Sequence, residues 1–406
     1  MIKADKTLRQ FDIGIIGGGA SGLFLANMIA MERADLSIAI FERNEILGKK
    51  LLLTGNGRCN FTNDRQDMTC YNSSNPDIAY KLISRYDNLS FLDFMKKCGI
   101  FYTSKDGYYY PFTNKSETIV NVLSDNLKSN GVCIFTKVCI HNIVKTDNFA
   151  ITDTNINTYH CKNLIIACGG NSYPKTGSRG DAYFWAKGYG LKVIPTHEGL
   201  VALSYSDNRL DILDGLRVEA SVSFMDKSYF GQVQFTKGFL SGIPVLCLSR
   251  YITDYQDKSD LSIRISFIKS EDYSELKCLW SGSFSSGKSI RDILRGYFQD
   301  CLIEYLCRYA AIDPESSADA DDLIKIFDIA SNLTIEIKGS KGYDYAQVTA
   351  GGVALDSLNE SLESTRQDNL YFIGEVVDVD GICGGYNLQW AYSSARCCAD
   401  SILSRN

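Results

Sequence analysis

Histidine and proline are scarce in this 406-residue chain, with three of the first and six of the second. His141, His160 and His197 are scattered, and no two cysteines stand at C-x-x-C spacing, which argues against a zinc site. Basic charge is not in excess. Forty-two Lys and Arg face 48 Asp and Glu, a net charge of −6, whereas a bulk nucleic-acid or anionic-membrane binder needs a basic face. No apolar run is long enough to cross a bilayer: the longest, Ile13 to Met31, is interrupted by Gly17, Gly18, Gly19, Ser21 and Gly22, and Glu32 and Arg33 stop it. The opening MIKADKTLRQ has no apolar core for a signal peptide, so the 14 cysteines read as reduced thiols of a cytoplasmic protein. What is abundant is aromatic: 24 Tyr, 20 Phe and 3 Trp describe a packed globule and exclude disorder. Without metal-ligand patterns, difficult chemistry here calls for a bound organic cofactor.

The first motif supplies one. Asp12 to Ile16 is an apolar strand, Gly17-Gly18-Gly19-Ala20-Ser21-Gly22 follows, and Leu23, Ala26, Ile29 and Ala30 recur at helical spacing. Ser37 to Phe41 is a second strand, ending in Glu42 twenty residues after Gly22. This is a βαβ unit in which a glycine turn lets a pyrophosphate approach backbone N–H groups at a helix N-terminus, and the acid receives ribose hydroxyls. FAD is favoured over NAD because glycine-rich strand ends recur at Gly169-Gly170 and Gly374-Glu375, and no second G-x-G-x-x-G appears later.

Beyond this unit, Phe91 to Cys98 and Ile119 to Leu127 read as helices, and Val132 to Val138 and Leu164 to Ala167 as strands. From about Leu191 the pattern changes to alternating strands, at Leu261, Ile263, Ile265 and Phe267 and again at Leu333, Ile335 and Ile337. Between them Ile290, Ile293, Leu294, Tyr297, Cys301, Leu302, Tyr305 and Tyr309 predict one long helix, and Leu323, Ile326, Phe327 and Ala330 a shorter one. Leu370 to Ile373 and a closing helix from about Tyr386 to Leu403 return to α/β style, so the middle reads as an insertion.

The stretches GIIGGGASGL, GKKLLLTGNGRCNFTN, IIACGGNSYPKTGSRGDAY and LYFIGEVVDVDGICGGYNLQWAYSSA resemble bacterial two-dinucleotide-binding-domain flavoproteins. The match is to the NAD(P)/FAD-dependent oxidoreductase or aminoacetone-oxidase family of FAD-binding enzymes, which includes the bile-acid-inducible flavoprotein. The resemblance implies an α/β fold with a discontinuous Rossmann-like FAD domain, residues 1–190 and 345–406. The inserted domain, 191–344, would hold β-barrel strands at about 191–284 and 332–344 and a small helical subdomain at about 285–331. It further implies that Gly17, Gly18, Gly19, Ala20, Ser21 and Gly22 hold the pyrophosphate, Glu42 the adenosine ribose, and that Arg43 lies beside the adenine. Val138 would meet the adenine through its backbone, Ala167, Cys168 and Gly169 would close over the dinucleotide, and Gly374 and Glu375 would meet the ribityl and phosphate part. Gly55, Asn56, Gly57, Arg58, Cys59 and Asn60, with Gly384, Gly385, Tyr386, Asn387, Leu388 and Gln389, would surround the isoalloxazine.

Arg33 replaces a small residue of the wider flavin pattern, Lys237 stands where the family has a histidine in its F-T-H-x-G-x-S-G-P block, and Tyr108 where an arginine is common. Near the ring, the closing helix offers free N–H groups to the pole that gains charge on reduction, and Arg58 offers a full charge or a phosphate clamp. Arg58, Cys59 and Asn387 are the catalytic candidates. Cys59 with Cys383 is a weaker dithiol candidate, His197 a proton donor or hinge, Tyr108-Tyr109-Tyr110 a flat pocket wall or ordinary packing, and Lys50 a pyrophosphate contact or a solvated charge. The expected activity is hydride transfer from NAD(P)H, a transient visitor, through FAD to a small organic acceptor such as an activated C=C. An amine or aminoketone oxidase using O₂ and a non-catalytic or RNA-associated flavoprotein are the alternatives. Nothing in the chain fixes its oligomeric state.

Overall fold

The computed structural model describes residues 10–257, 261–269, 271–281 and 287–405; most of the opening segment read above for a leader lies outside the described residues. Contacts divide the chain into two units, Met1–His197 with Gln347–Asn406, and Glu198–Ala346.

In the first unit, strand β1 (Gln10–Ile16) is buried on both faces, which is why it reads as an almost continuous apolar run. Gly14 interrupts that run because a Cβ there would lie 2.7 Å from Cys161 Sγ on the neighbouring strand. Helix α1 (Ala20–Glu32) is buried from Ser21 to Ala30, between the closing helix Tyr386–Arg405 and the helix Ser116–Ser129, and so is apolar all round. Asn27 is its one buried polar side chain beyond the first turn, and its amide donates to Leu23 O and, across the helix pair, to Leu123 O.

Strand β2 (Ile38–Glu42) lies parallel to β1, and the sheet runs Cys133–Thr136, β2, β1, Thr158–Ile166. The outer edge of Thr158–Ile166 is shared. Its first half pairs antiparallel with Phe149–Asp153, and its last three residues pair parallel with Leu370–Phe372, from the far end of the chain. The parallel strands therefore end together, at Ile16, Glu42, Ile166 and Phe372, and the loops leaving them build the site.

The second unit is a closed six-stranded barrel in the order Leu203–Tyr205, Phe239–Gly242, Lys227–Thr236, Arg217–Phe224, Ser262–Ser266, Leu333–Ser340. Its inward residues Val222, Val233, Phe235, Leu240, Ile263, Ile265 and Ile335 form a core of their own with the helices. The long helix predicted across 290–309 is two helices, Ile290–Leu294 and Asp300–Ala310. The chain turns at Gly296, with Tyr297 and Phe298 N–H both returning to Leu294 O, so that both rings pack edge-on against Trp280. Glycine is a poor helix former, and this break happens to preserve the apolar phase. Among the described residues, no helix is long and apolar enough to cross a membrane, and no cluster of His, Cys, Asp or Glu could hold a metal.

Candidate functional site

The glycine turn after β1 is tight because backbone meets backbone. Gly17 has φ +110°, and a Cβ on it would lie 2.4 Å from Ala167 O and 2.7 Å from Cys168 Cα, while a Cβ on Gly22 would lie 2.1 Å from Gly17 O. Gly19 differs: the nearest atom to its Cβ position is Ala167 O at 4.0 Å. Gly19 caps α1 without a side-chain hydrogen bond, and the first turn, Ala20 and Ser21 onward, carries no acid, so its N–H groups and positive potential are uncompensated.

Glu42, 8% exposed, is fixed as an acceptor. Its Oε2 receives Gly18 N–H at 2.9 Å, and its Oε1 receives the backbone and side-chain amides of Asn44 at 2.8 and 2.7 Å. Val138 N–H donates to Glu42 O at 2.9 Å, holding the chain beside the acid. Arg43, expected beside the adenine, forms an ion pair with Asp181.

At the ends of the outer strands, Gly169 and Gly374 take φ +72° and +74°, and a Cβ on Gly374 would lie 2.5 Å from Ser21 Oγ. Gly374 N–H donates to Ser394 Oγ and its carbonyl receives Trp390 Nε1–H, fastening this loop to the closing helix. Glu375 is bound by Ser172 Oγ–H, Thr349 N–H and Lys50, whose Nζ stands 2.6 Å from Glu375 Oε2 and 2.6 Å from Ser172 Oγ. Lys50 thus neutralises Glu375, the acid nearest Gly169. Ser172 and Thr349 were not singled out in the sequence; Ser172 sits within a quoted block, but nothing local marks Thr349.

The ring-side segment is shaped by left-handed backbone: Gly55 φ +55°, Asn56 +54°, Gly57 +83° and Cys59 +58°. Arg58 is exposed, its guanidinium 5.8 Å from the Tyr110 ring, with no ion-pair partner among the described residues. Cys59 is fully buried, and burial pushes its thiol up to about 12, so it is a packed neutral group at physiological pH. No cysteine, Cys383 included, forms a disulfide among the described residues. Asn387 donates to Gly381 O and receives Gly381 N–H, both at 2.9 Å; Gln389, fully buried, receives Thr62 Oγ–H and donates to Tyr86 O and Ser393 Oγ. Tyr386 packs edge-on against Tyr71, and Leu388 against the core. The carboxamides of Asn387 and Gln389 are therefore used by the protein itself.

Asn60 is the exception. Both its Oδ1 and Nδ2 are shut off from solvent without a hydrogen-bond partner. They lie against Gly385, whose Cβ position would fall 2.1 Å from Asn60 Oδ1 and 2.7 Å from Thr62 N; Gly384 and Gly385 take φ +132° and +92°. Asn60 is therefore packed inside this wall, against Gly385, and does not face open space. The residues present fit FAD at the nucleotide end: the tight turn Gly17–Gly22 with the open approach over Gly19 for the pyrophosphate, and the buried acceptor Glu42 for the ribose.

Known proteins support FAD as the cofactor of the fold. The family model described as HI0933-like protein Rossmann domain matches residues 11–401. A 3-dehydro-bile acid delta(4,6)-reductase of Clostridium scindens is 32% identical over 398 residues, covering 94% of this chain and 96% of that protein. A ribosomal RNA dihydrouridine synthase of Haemophilus influenzae is 31% identical over 398 residues, covering 96% and 97%. Among solved structures, the 3-ketosteroid-delta4-(5alpha)-dehydrogenase of Rhodococcus jostii shares the fold, with a TM-score of 0.52 at 12% identity over 99% of this chain and 98% of that one. The chain belongs to the HI0933-like family of Rossmann-domain flavoproteins and is a flavin-dependent oxidoreductase.

Proposed function

We propose that this enzyme takes hydride from NADH or NADPH and uses it to saturate a C=C bond conjugated with a carbonyl. The observation that carries this reading is the nucleotide end of the site, a glycine turn at the α1 N-terminus with Glu42 bound to Gly18 N–H, while Cys59 is held as a neutral thiol. Such a site leaves the electron transfer to FAD. The names of the two curated relatives support the acceptor class. An unsaturated 3-oxo bile acid and the uracil ring of uridine both hold a C=C next to a carbonyl, and reducing either one adds a hydride and a proton.

When bound, FAD would supply the two-electron hydride carrier between the nicotinamide and the acceptor. The protein's residues bind and orient. Glu42 and the α1 terminus hold the nucleotide, and Lys50 keeps Glu375 from repelling the phosphates. The closing-helix N-terminus, with no acid in its first turn, would offer positive potential to charge that grows on reduction. Overall, NAD(P)H, a proton and the alkene become NAD(P)⁺ and the alkane.

Anaerobic stopped-flow mixing of FAD-loaded protein with NADH and with NADPH tests the donor. A 3-oxo-4,6-diene bile acid and ribosomal RNA then test the acceptor in separate arms. Flavin reduction by an amine or aminoketone, but by neither nicotinamide, would sink the proposal in favour of an oxidase.

A further inference from the structure

We infer that Thr349 is the positioning residue of the flavin half of the cofactor site: its hydroxyl fixes Ser172 and, through Ser172, the Lys50–Glu375 pair. This rests on the reading that FAD occupies the site. The sheet places the flavin half. Glu42 ends the strand on one side of β1, and the strands Thr158–Ile166 and Leu370–Phe372 lie on the other side. A dinucleotide with its pyrophosphate at the turn after β1 and a ribose on Glu42 therefore extends its second half over the ends of those two strands, where Gly169, Gly374 and Glu375 stand.

Thr349 is 1% exposed, on the strand Val348–Val353. A hydroxyl has one proton and two lone pairs, and here all three are used. Its oxygen accepts Asn171 N–H at 2.8 Å and Ser172 N–H at 3.0 Å, and its proton goes to Ser172 Oγ at 3.3 Å. The residue's own N–H donates to Glu375 Oε1 at 2.9 Å. Gly170 makes room for it: a Cβ there would fall 2.4 Å from Thr349 Oγ1. Ser172, fully buried, passes the constraint on, donating to Glu375 Oε1 and accepting a proton of Lys50 Nζ at 2.6 Å.

These contacts run from a buried root to a partly open end. The side chains of Lys50 and Glu375 are 25% and 21% exposed, so both charges border space that a ligand can enter. Lys50 Nζ carries three protons, and Ser172 and Glu375 take two of them, which leaves one for an acceptor on a ligand. Without the Thr349 hydroxyl, two successive buried N–H groups lose their acceptor. The turn 170–172 must then shift, and Ser172 draws away from Glu375 and Lys50 with it. Cofactor binding would have to reorder the charged pair, and affinity falls by the cost of that ordering.

The test uses full-length, FAD-free Thr349→Val, Thr349→Ser and Ser172→Ala, with dissociation constants for FAD by fluorescence quenching and for ADP by competition with FAD. ADP has the ribose and the two phosphates but no flavin half, so it reports on Gly17–Gly22 and Glu42 alone. In Thr349→Val and Ser172→Ala the FAD dissociation constant is expected to rise about tenfold, the loss of one hydrogen bond to a charged group, while that of ADP stays within about twofold. Thr349→Ser keeps the hydroxyl and should bind FAD within about threefold of wild type. Equal weakening of FAD and ADP overturns the inference, because a general loosening of the fold moves both. So does wild-type FAD affinity in Ser172→Ala, or a Thr349→Ser that itself loses FAD. If Thr349→Val fails to fold, Thr349→Ser and Ser172→Ala decide by the same criteria. A wild-type protein that takes up no FAD, or takes it up without competition from ADP, would refute the underlying reading instead.

Discussion

Gly17 and Gly19 sit two residues apart in one motif, yet the structure gives them different jobs, and alanine at each position should separate those jobs. At Gly17 an added Cβ meets three backbone atoms, Ala167 O at 2.4 Å, Ala167 C at 2.7 Å and Cys168 Cα at 2.7 Å, and none of them can swing aside. The φ of +110° adds strain of roughly 1–3 kcal/mol for a residue with a Cβ. Forcing β1 and the strand Thr158–Ile166 apart costs about 1–3 kcal/mol more. The sum, roughly 2–6 kcal/mol, is a large part of the roughly 5–15 kcal/mol that holds a folded domain together. At Gly19 the nearest atom is 4.0 Å away and φ is −77°, so alanine fits the FAD-free chain, losing about 0.5–1 kcal/mol at the helix cap. The open space over Gly19 is where a pyrophosphate would approach. Gly17→Ala should therefore lower the melting temperature of the FAD-free protein sharply. Gly19→Ala should leave it nearly unchanged and weaken FAD binding, measured by quenching of FAD fluorescence, by an order of magnitude or more. Equal destabilisation by the two variants, or an unaltered FAD dissociation constant in Gly19→Ala, would refute the division.

Two other outcomes follow from the charge and burial pattern. Cys59, Cys98, Cys161 and Cys397 are buried thiols pushed up to about 12, so between pH 9 and 12 the folded state holds protons that the unfolded state has lost. Stability should be insensitive to these groups below pH 9 and fall above it, by about 1.4 kcal/mol per pH unit for each thiol still protonated. Urea midpoints under reducing conditions at pH 7, 8 and 10 check this, and a flat response from 8 to 10 contradicts it. Arg58→Ala should change stability by no more than about 0.5 kcal/mol, since the side chain is exposed and has no ion-pair partner among the described residues. It should slow flavin reduction, with a larger rise in KM for NADPH than for NADH if the guanidinium clamps a phosphate. Equal, unchanged rates with both donors would leave Arg58 no part in the reaction.

The nucleotide end of the site was legible in the sequence because its determinants are local. A glycine turn between strand and helix, and an acid ending the next strand, depend on spacing that the chain itself enforces, and Glu42 does lie against the turn, bound to Gly18 N–H. The ring end was legible only as a set of segments. Which amides stay free depends on tertiary partners: Asn387 and Gln389 look as available as Asn60 in the sequence, and only coordinates reveal that Gly381, Thr62, Tyr86 and Ser393 take them up. The same limit hid the partner of Lys50, which lies 325 residues away at Glu375. The helix break at Gly296 escaped because Ile290, Leu294, Leu302 and Tyr305 stay on one apolar stripe across it, and periodicity reports the stripe, not the continuity of the backbone.

The strand Leu370–Phe372 has a consequence for biosynthesis. Its pairing site on Thr158–Ile166 leaves the ribosome about 200 residues before the strand itself does. At roughly 5–20 residues per second the nascent chain waits roughly 10–40 s with an unpaired strand edge in its main sheet. The barrel unit, Glu198–Ala346, is continuous and emerges whole during that interval, so it can complete its fold first. The nucleotide-binding sheet is finished only once Leu370–Phe372 has emerged. A chain stalled before Leu370 would thus carry a formed barrel and an open sheet edge, a natural client for chaperones that bind exposed strand edges.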